Sequence, residues 1–142
     1  MVKVATIILI IMLAYAGAYS IGNLIVPEVF VSSSFQIITG EMLKDVQNEG
    51  YLKAYLGANR TSSLFALVTV IAGFFILFGA FRKVEKWAWW GFLIAGGIAW
   101  IWGVAFSIII GDTFYLALQL IGFILLIVGI LLPVKAFFGK KA

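Results

Sequence analysis

No cysteine and no histidine occur in the 142 residues, and only 11% of the side chains are charged. Without thiols or imidazoles the chain cannot make disulfides, thiolate-held zinc or iron–sulfur clusters, or His-ligated haem, and it lacks the commonest acid–base catalyst. The two prolines, Pro27 and Pro133, each close a long apolar run. None of those runs contains an Asp, Glu, Lys or Arg. Ionisable residues at membrane depth mark ion pathways and proton relays, so their absence argues against a pump or an ion-coupled transporter working alone.

What the chain does have is apolar length. Hydrophobic residues make up 64% of it, and four runs, at about 4–26, 63–81, 87–110 and 114–132, account for most of the sequence. At about 1.5 Å of rise per residue the run from Trp87 to Ile110 makes roughly 36 Å of helix, enough to cross a hydrocarbon core of about 30 Å. The expected fold is an all-α integral membrane protein: an antiparallel four-transmembrane-helix bundle forming a single domain, 1–142. A short amphipathic helical segment is expected in the outer loop, 27–62. Ala14-Tyr15-Ala16 has the spacing of a signal cleavage site, but the 23-residue run around it favours a retained span.

Within the loop, Thr39 reads as an N-cap and Glu41–Glu49 as a helix with Met42, Leu43 and Val46 on one side. Gly50 interrupts, Tyr51–Leu56 resumes, Gly57 closes, and Thr61-Ser62-Ser63 offers caps for the second span. Asn59-Arg60-Thr61 matches the glycosylation acceptor pattern, close to the membrane. Lys3, Arg82, Lys83, Lys86, Lys135, Lys140 and Lys141 fall on one side with Glu85. Glu28, Glu41, Asp45, Glu49 and Asp112 fall on the other with Lys44, Lys53 and Arg60. This asymmetry predicts a cell-membrane protein with both termini cytoplasmic. Because the net charge of +4 sits at span ends, lipid rather than nucleic acid is the expected partner.

Small residues line two helices at four-residue spacing: Gly91, Ala95, Ala99, Gly103 and Ser107 on the third span, and Ala14, Ala18 and Gly22 on the first. Both rows are expected to be helix-packing seams. Neutral polar residues gather in the outer half, among them Tyr19, Ser20, Asn23, Thr69, Tyr115 and Gln119. Two readings stay open for them. They could hydrogen-bond between helices and fix register, at about 0.6 kcal/mol each. Alternatively Tyr19, Asn23, Trp100, Trp102, Tyr115 and Gln119 could surround an apolar cleft that binds a lipid or an isoprenoid quinone. Trp87, Trp89 and Trp90 are expected to anchor at the interface. Trp100 and Trp102 lie about 200° apart around their helix at roughly 100° per residue, so at least one should face protein, a pocket or a neighbouring subunit.

The stretch Arg82-Lys83-Val84-Glu85-Lys86-Trp87-Ala88-Trp89-Trp90, opening a third helix in a chain with a long first loop, resembles the DoxX-like group of small four-helix membrane proteins. That resemblance implies a possible link to quinone-linked oxidoreductase complexes. The residues themselves name no catalytic group, no metal ligands and no cofactor. Glu41, Asp45 and Glu49 have a spacing ordinary for a solvated helix face. The expected function is a non-catalytic accessory or assembly subunit of a larger membrane complex, in contact with membrane lipids and other membrane subunits. A small lipid- or quinone-binding protein is the alternative, and a stand-alone enzyme is least expected.

Overall fold

The computed structural model describes residues 1–139; Lys140 and Lys141, two of the basic residues in the charge argument, lie outside the described residues. The regular elements are helices: α1 (Val2–Ile25), α2 (Pro27–Thr39), α3 (Glu49–Gly79), α4 (Lys86–Gly91), α5 (Gly97–Ile110), α6 (Thr113–Leu131) and α7 (Val134–Phe138). A single π turn, Phe92–Gly96, joins α4 to α5. Four helical stretches are long and apolar enough to cross a membrane: Val2–Ile25, Glu49–Lys83, Lys86–Ile110 and Thr113–Leu131.

The loop differs from its sequence reading. Pro27 does end α1, but it also opens α2 at the first helical position, where its missing N–H costs nothing. Thr39 sits in the last turn of α2 and donates to the Phe35 carbonyl at 2.8 Å, so it is not an N-cap. Gly40, at φ 76°, then stops the helix in the left-handed region. Residues 41–48 form no amphipathic helix, only a 3-10 turn at Leu43–Asp45 between extended flanks. The eight residues after the Gly40 stop are too few to offset the cost of nucleating a helix of their own. Asn48, whose side chain accepts from the Tyr51 N–H at 3.0 Å, caps α3 instead.

Gly50 and Gly57 fall inside α3, a helix of 31 residues. Packing overrides their low propensity, because Leu52, Tyr55 and Leu56 press on Val31, Phe35 and Leu43 in a small core of their own. Thr61, Ser62 and Ser63 are mid-helix rather than caps, each hydroxyl donating to the carbonyl four residues back, at 3.0, 3.0 and 2.9 Å. The Asn59 amide likewise donates to the Tyr55 carbonyl at 3.0 Å, so the acceptor pattern lies on a continuous helix.

Helix α1 is the centre of the assembly, packed against both α3 and α6, while α5 packs on α6. Leu13 meets Gly73, Gly17 meets Val70, and Asn23 meets Ser63 across α1 and α3. Across α1 and α6, Leu9 meets Gly129 and Tyr15 meets Leu118; across α5 and α6, Gly103 meets Gln119. No extensive contact joins α3 to α5 among the described residues. One end of the fold is tightly filled by Leu9, Leu77, Phe81, Leu126 and Ile130. Here Trp89 departs from its expected anchoring role: it is buried and donates to the Ile130 carbonyl at 2.8 Å. Trp87 and Trp90 remain exposed.

Candidate functional site

Between α3 on one side and α4–α5 on the other lies a cleft of about 420 Å³, floored by α1 and α6. Its walls are made of small residues, Ala66, Ala72 and Gly73 facing Gly91, Ala95 and Ala99. The third-span row therefore does not act as one seam. At about 100° per residue, a four-residue spacing advances by about 40° at each step, so the row winds around the helix. Gly103 and Ser107 end up buried, with Gly103 against α6; Ala95 and Ala99 end up exposed in the cleft. The first-helix row divides in the same way. Gly22 lies under the Phe30 ring of α2, whereas Ala14 and Ala18 are exposed. The face of α1 that packs carries Leu9, Leu13, Gly17 and Ser20.

The polar groups around the cleft fall into two sets. Tyr15 donates to the Leu118 carbonyl at 3.0 Å, Ser20 to Ala16 at 2.8 Å and Thr69 to Phe65 at 2.9 Å. These groups are satisfied within the fold. Gln119 is only 9% exposed and lines the cleft beside Tyr19, Tyr115 and Trp100. The Tyr19 and Tyr115 hydroxyls and the Gln119 amide lie within hydrogen-bonding reach, Tyr115 standing between the other two. The Trp100 N–H has no hydrogen-bond partner among the described residues, unlike the indoles of Trp87 and Trp89. The rings are in contact as well: Tyr15 stacks on Trp100 with centroids 6.3 Å apart, and Tyr19 meets Phe30 edge-on at 5.1 Å.

Four of the six residues expected around a ligand thus come together, namely Tyr19, Trp100, Tyr115 and Gln119. Asn23 and Trp102 do not. Asn23 is buried between α1 and α3, donating to the Ser63 hydroxyl at 2.8 Å, and its Oδ1 has no partner among the described residues. Trp102 is 66% exposed and stacks on Phe106 away from the cleft. The wall from α3 escaped the sequence reading, because alanines and a glycine in an apolar run look like ordinary lipid-facing positions.

The end of the cleft nearest the Tyr19 ring is roofed by α2. Phe30 wedges over Gly22 and Tyr19, and Ser34 donates to Asp112 Oδ2 at 2.7 Å. Asp112, 1% exposed, also caps α6 by accepting from the Tyr115 N–H at 2.9 Å. Burial pushes its carboxyl group up, but hydrogen bonds from the Tyr115 backbone, Ser34, Ser33 and the Phe114 backbone outweigh this. The group is held below its ordinary range.

No family model, curated protein or solved structure matches this chain. The chemistry of the cleft must therefore be read from its own lining. That lining carries no charged side chain. It can surround an apolar chain and offer hydroxyl, amide and indole groups to an oxygen-bearing head.

Proposed function

We propose that the chain is an antiparallel four-span protein of the cell membrane whose cleft, open sideways between α3 and α5, binds one membrane lipid. The carrying observation is the cluster of neutral polar groups, Tyr19, Tyr115, Trp100 and nine-tenths-buried Gln119, lining a largely apolar cleft. Hydroxyl, amide and indole groups gathered at membrane depth can exchange hydrogen bonds with a ligand's head, each worth about 0.5–1.5 kcal/mol net. The contact pairs between α1, α3, α5 and α6 support the antiparallel reading. Both termini are placed in the cytoplasm, because Lys3, Arg82, Lys83, Lys86 and Lys135 flank the spans on that side. The DoxX-like resemblance of residues 82–90 carries no part of this reading.

Gentle purification from the native membrane, followed by native mass spectrometry, tests it. One defined lipid retained at unit stoichiometry is expected, and Ala95→Phe, which fills the cleft, should release it. Retention of only a heterogeneous lipid background by both proteins would refute the proposal.

A second reading, an accessory subunit of a larger complex, draws on Ala14 and Ala18, a small-residue strip left exposed on α1. It predicts additional protein chains at fixed stoichiometry in the same spectra, lost in Ala18→Leu. Their absence would count against it.

A further inference from the structure

Resting on the lipid-binding reading, we infer that the cleft selects an uncharged lipid, a long acyl or prenyl chain ending in a hydroxyl or carbonyl group, and rejects the same chain carrying a phosphate. Three observations lead there. The first is depth. Tyr19 lies six residues before Ile25 at the end of α1, about 9 Å along the axis at 1.5 Å per residue. Gln119 lies seven residues after Asp112, the cap of α6, about 10 Å along it. The head site is therefore well inside the span, where an ion is costly unless it is paired.

The second observation is the absence of a cation to pair with. None of the lining residues is charged. At the roofed end Arg60 faces Glu28 at 3.9 Å and Lys53 faces Glu49 at 3.3 Å, both on the surface. The buried charge on that side is Asp112, held in its ionised form by the groups around it, which would repel a phosphate. Arg82, Lys83 and Lys86 lie past Gly91, at the far end of the cleft from Tyr19.

The third is the roof itself. Phe30 over Tyr19 and Gly22, with Ser34 bonded to Asp112, sets α2 beside the tyrosine end, behind the residues that line the cleft. The way in from the membrane is sideways, between α3 and α5, which make no extensive contact among the described residues. An uncharged hydroxyl or carbonyl can make that passage and then exchange hydrogen bonds with Tyr19, Tyr115 and Gln119. A hydrated phosphate loses its water and gains no counter-charge.

The test uses matched probes on the full chain in neutral detergent: geranylgeraniol against geranylgeranyl phosphate, and hexadecanol against hexadecyl phosphate, each titrated by native mass spectrometry. At least one alcohol should bind about ten-fold or more tightly than its phosphate, and the tighter alcohol identifies the chain type. Tyr115→Phe, which removes one hydroxyl and keeps the ring, should weaken the alcohol three- to ten-fold and leave the phosphate unchanged. Phosphates binding as well as the alcohols would overturn the charge selection while leaving the lipid cleft standing. If no probe binds wild type more tightly than Ala95→Phe, the lipid-binding reading falls together with it.

Discussion

Removing the Asp112 carboxylate should loosen the roof and fray α6 at once, because one side chain does both jobs. Its Oδ1 caps α6 and its Oδ2 holds Ser34 of α2. Losing an N-cap costs about 1 kcal/mol, and losing a hydrogen bond to a charged group costs about 1.5–3 kcal/mol. With Asp112 buried, solvent screening takes little away. Asp112→Ala should therefore cost about 3 kcal/mol, which in a domain of this size lowers the melting temperature by roughly 6–12 °C. Ser34→Ala should cost about half as much, and the double variant little more than Asp112→Ala alone, because the two residues share one bond. The sign with pH follows from the carboxyl group being held below its ordinary value of 3.8. The contribution is complete above that value and is lost as pH falls through the lower folded value. Wild type should then approach Asp112→Asn only in strong acid, and remain more stable than it from pH 5 upward. Thermal unfolding in detergent, followed by circular dichroism, provides the assay. A change below about 1 °C for Asp112→Ala, or full additivity with Ser34→Ala, would refute the latch.

The seam on α1 can be tested by contrast. Gly129→Leu should destabilise by about 1–3 kcal/mol through overpacking, because even its Cβ would stand 2.6 Å from the buried Leu9 side chain; Ala14→Leu should be tolerated, and the reverse ranking would restore the alanine row as the internal seam. Trp89→Phe should cost on the order of 1–3 kcal/mol by stripping the Ile130 carbonyl of its donor, whereas Trp90→Phe should leave the melting temperature unchanged. Equal effects would return Trp89 to an anchoring role. Asn23→Leu should be neutral or stabilising, since it removes a buried amide whose Oδ1 has no partner and leaves Ser63 bonded to the Asn59 carbonyl. A loss above about 2 kcal/mol would mean that this oxygen has a partner of its own.

The four long helices were legible because apolar length is a local property. Their ends were less so. Ser32-Ser33-Ser34 gives no helical signal, yet α2 runs through it, started by Pro27 and stopped by Gly40. The Glu41–Glu49 pattern looked amphipathic, but between the Gly40 stop and the Asn48 cap of α3 it had no room to propagate. Around the cleft, Tyr19, Tyr115 and Gln119 could be picked out because neutral polar residues are conspicuous in an apolar run. Their neighbours Ala66 and Ala72 could not, and Ala95 was conspicuous only as part of a packing row. Whether a small residue marks a packed seam or an open space depends on what stands opposite, and that is a tertiary fact. The lack of extensive contact between α3 and α5 among the described residues is of the same kind, as is the exposure of Ala14 and Ala18.

The central claim is that a lipid chain lies between α3 and α5 rather than merely around the protein. Photolabelling with a long-chain alcohol bearing a diazirine in its chain, in a lipid bilayer and read out by peptide mass spectrometry, tests it most directly. Labels should concentrate on Ala72, Ile76, Ala95 and Ala99, which line the cleft, and excess unlabelled alcohol should compete them away. Labelling confined to outward-facing Phe75, Ile98 and Ile109, unaffected by competitor, would contradict it.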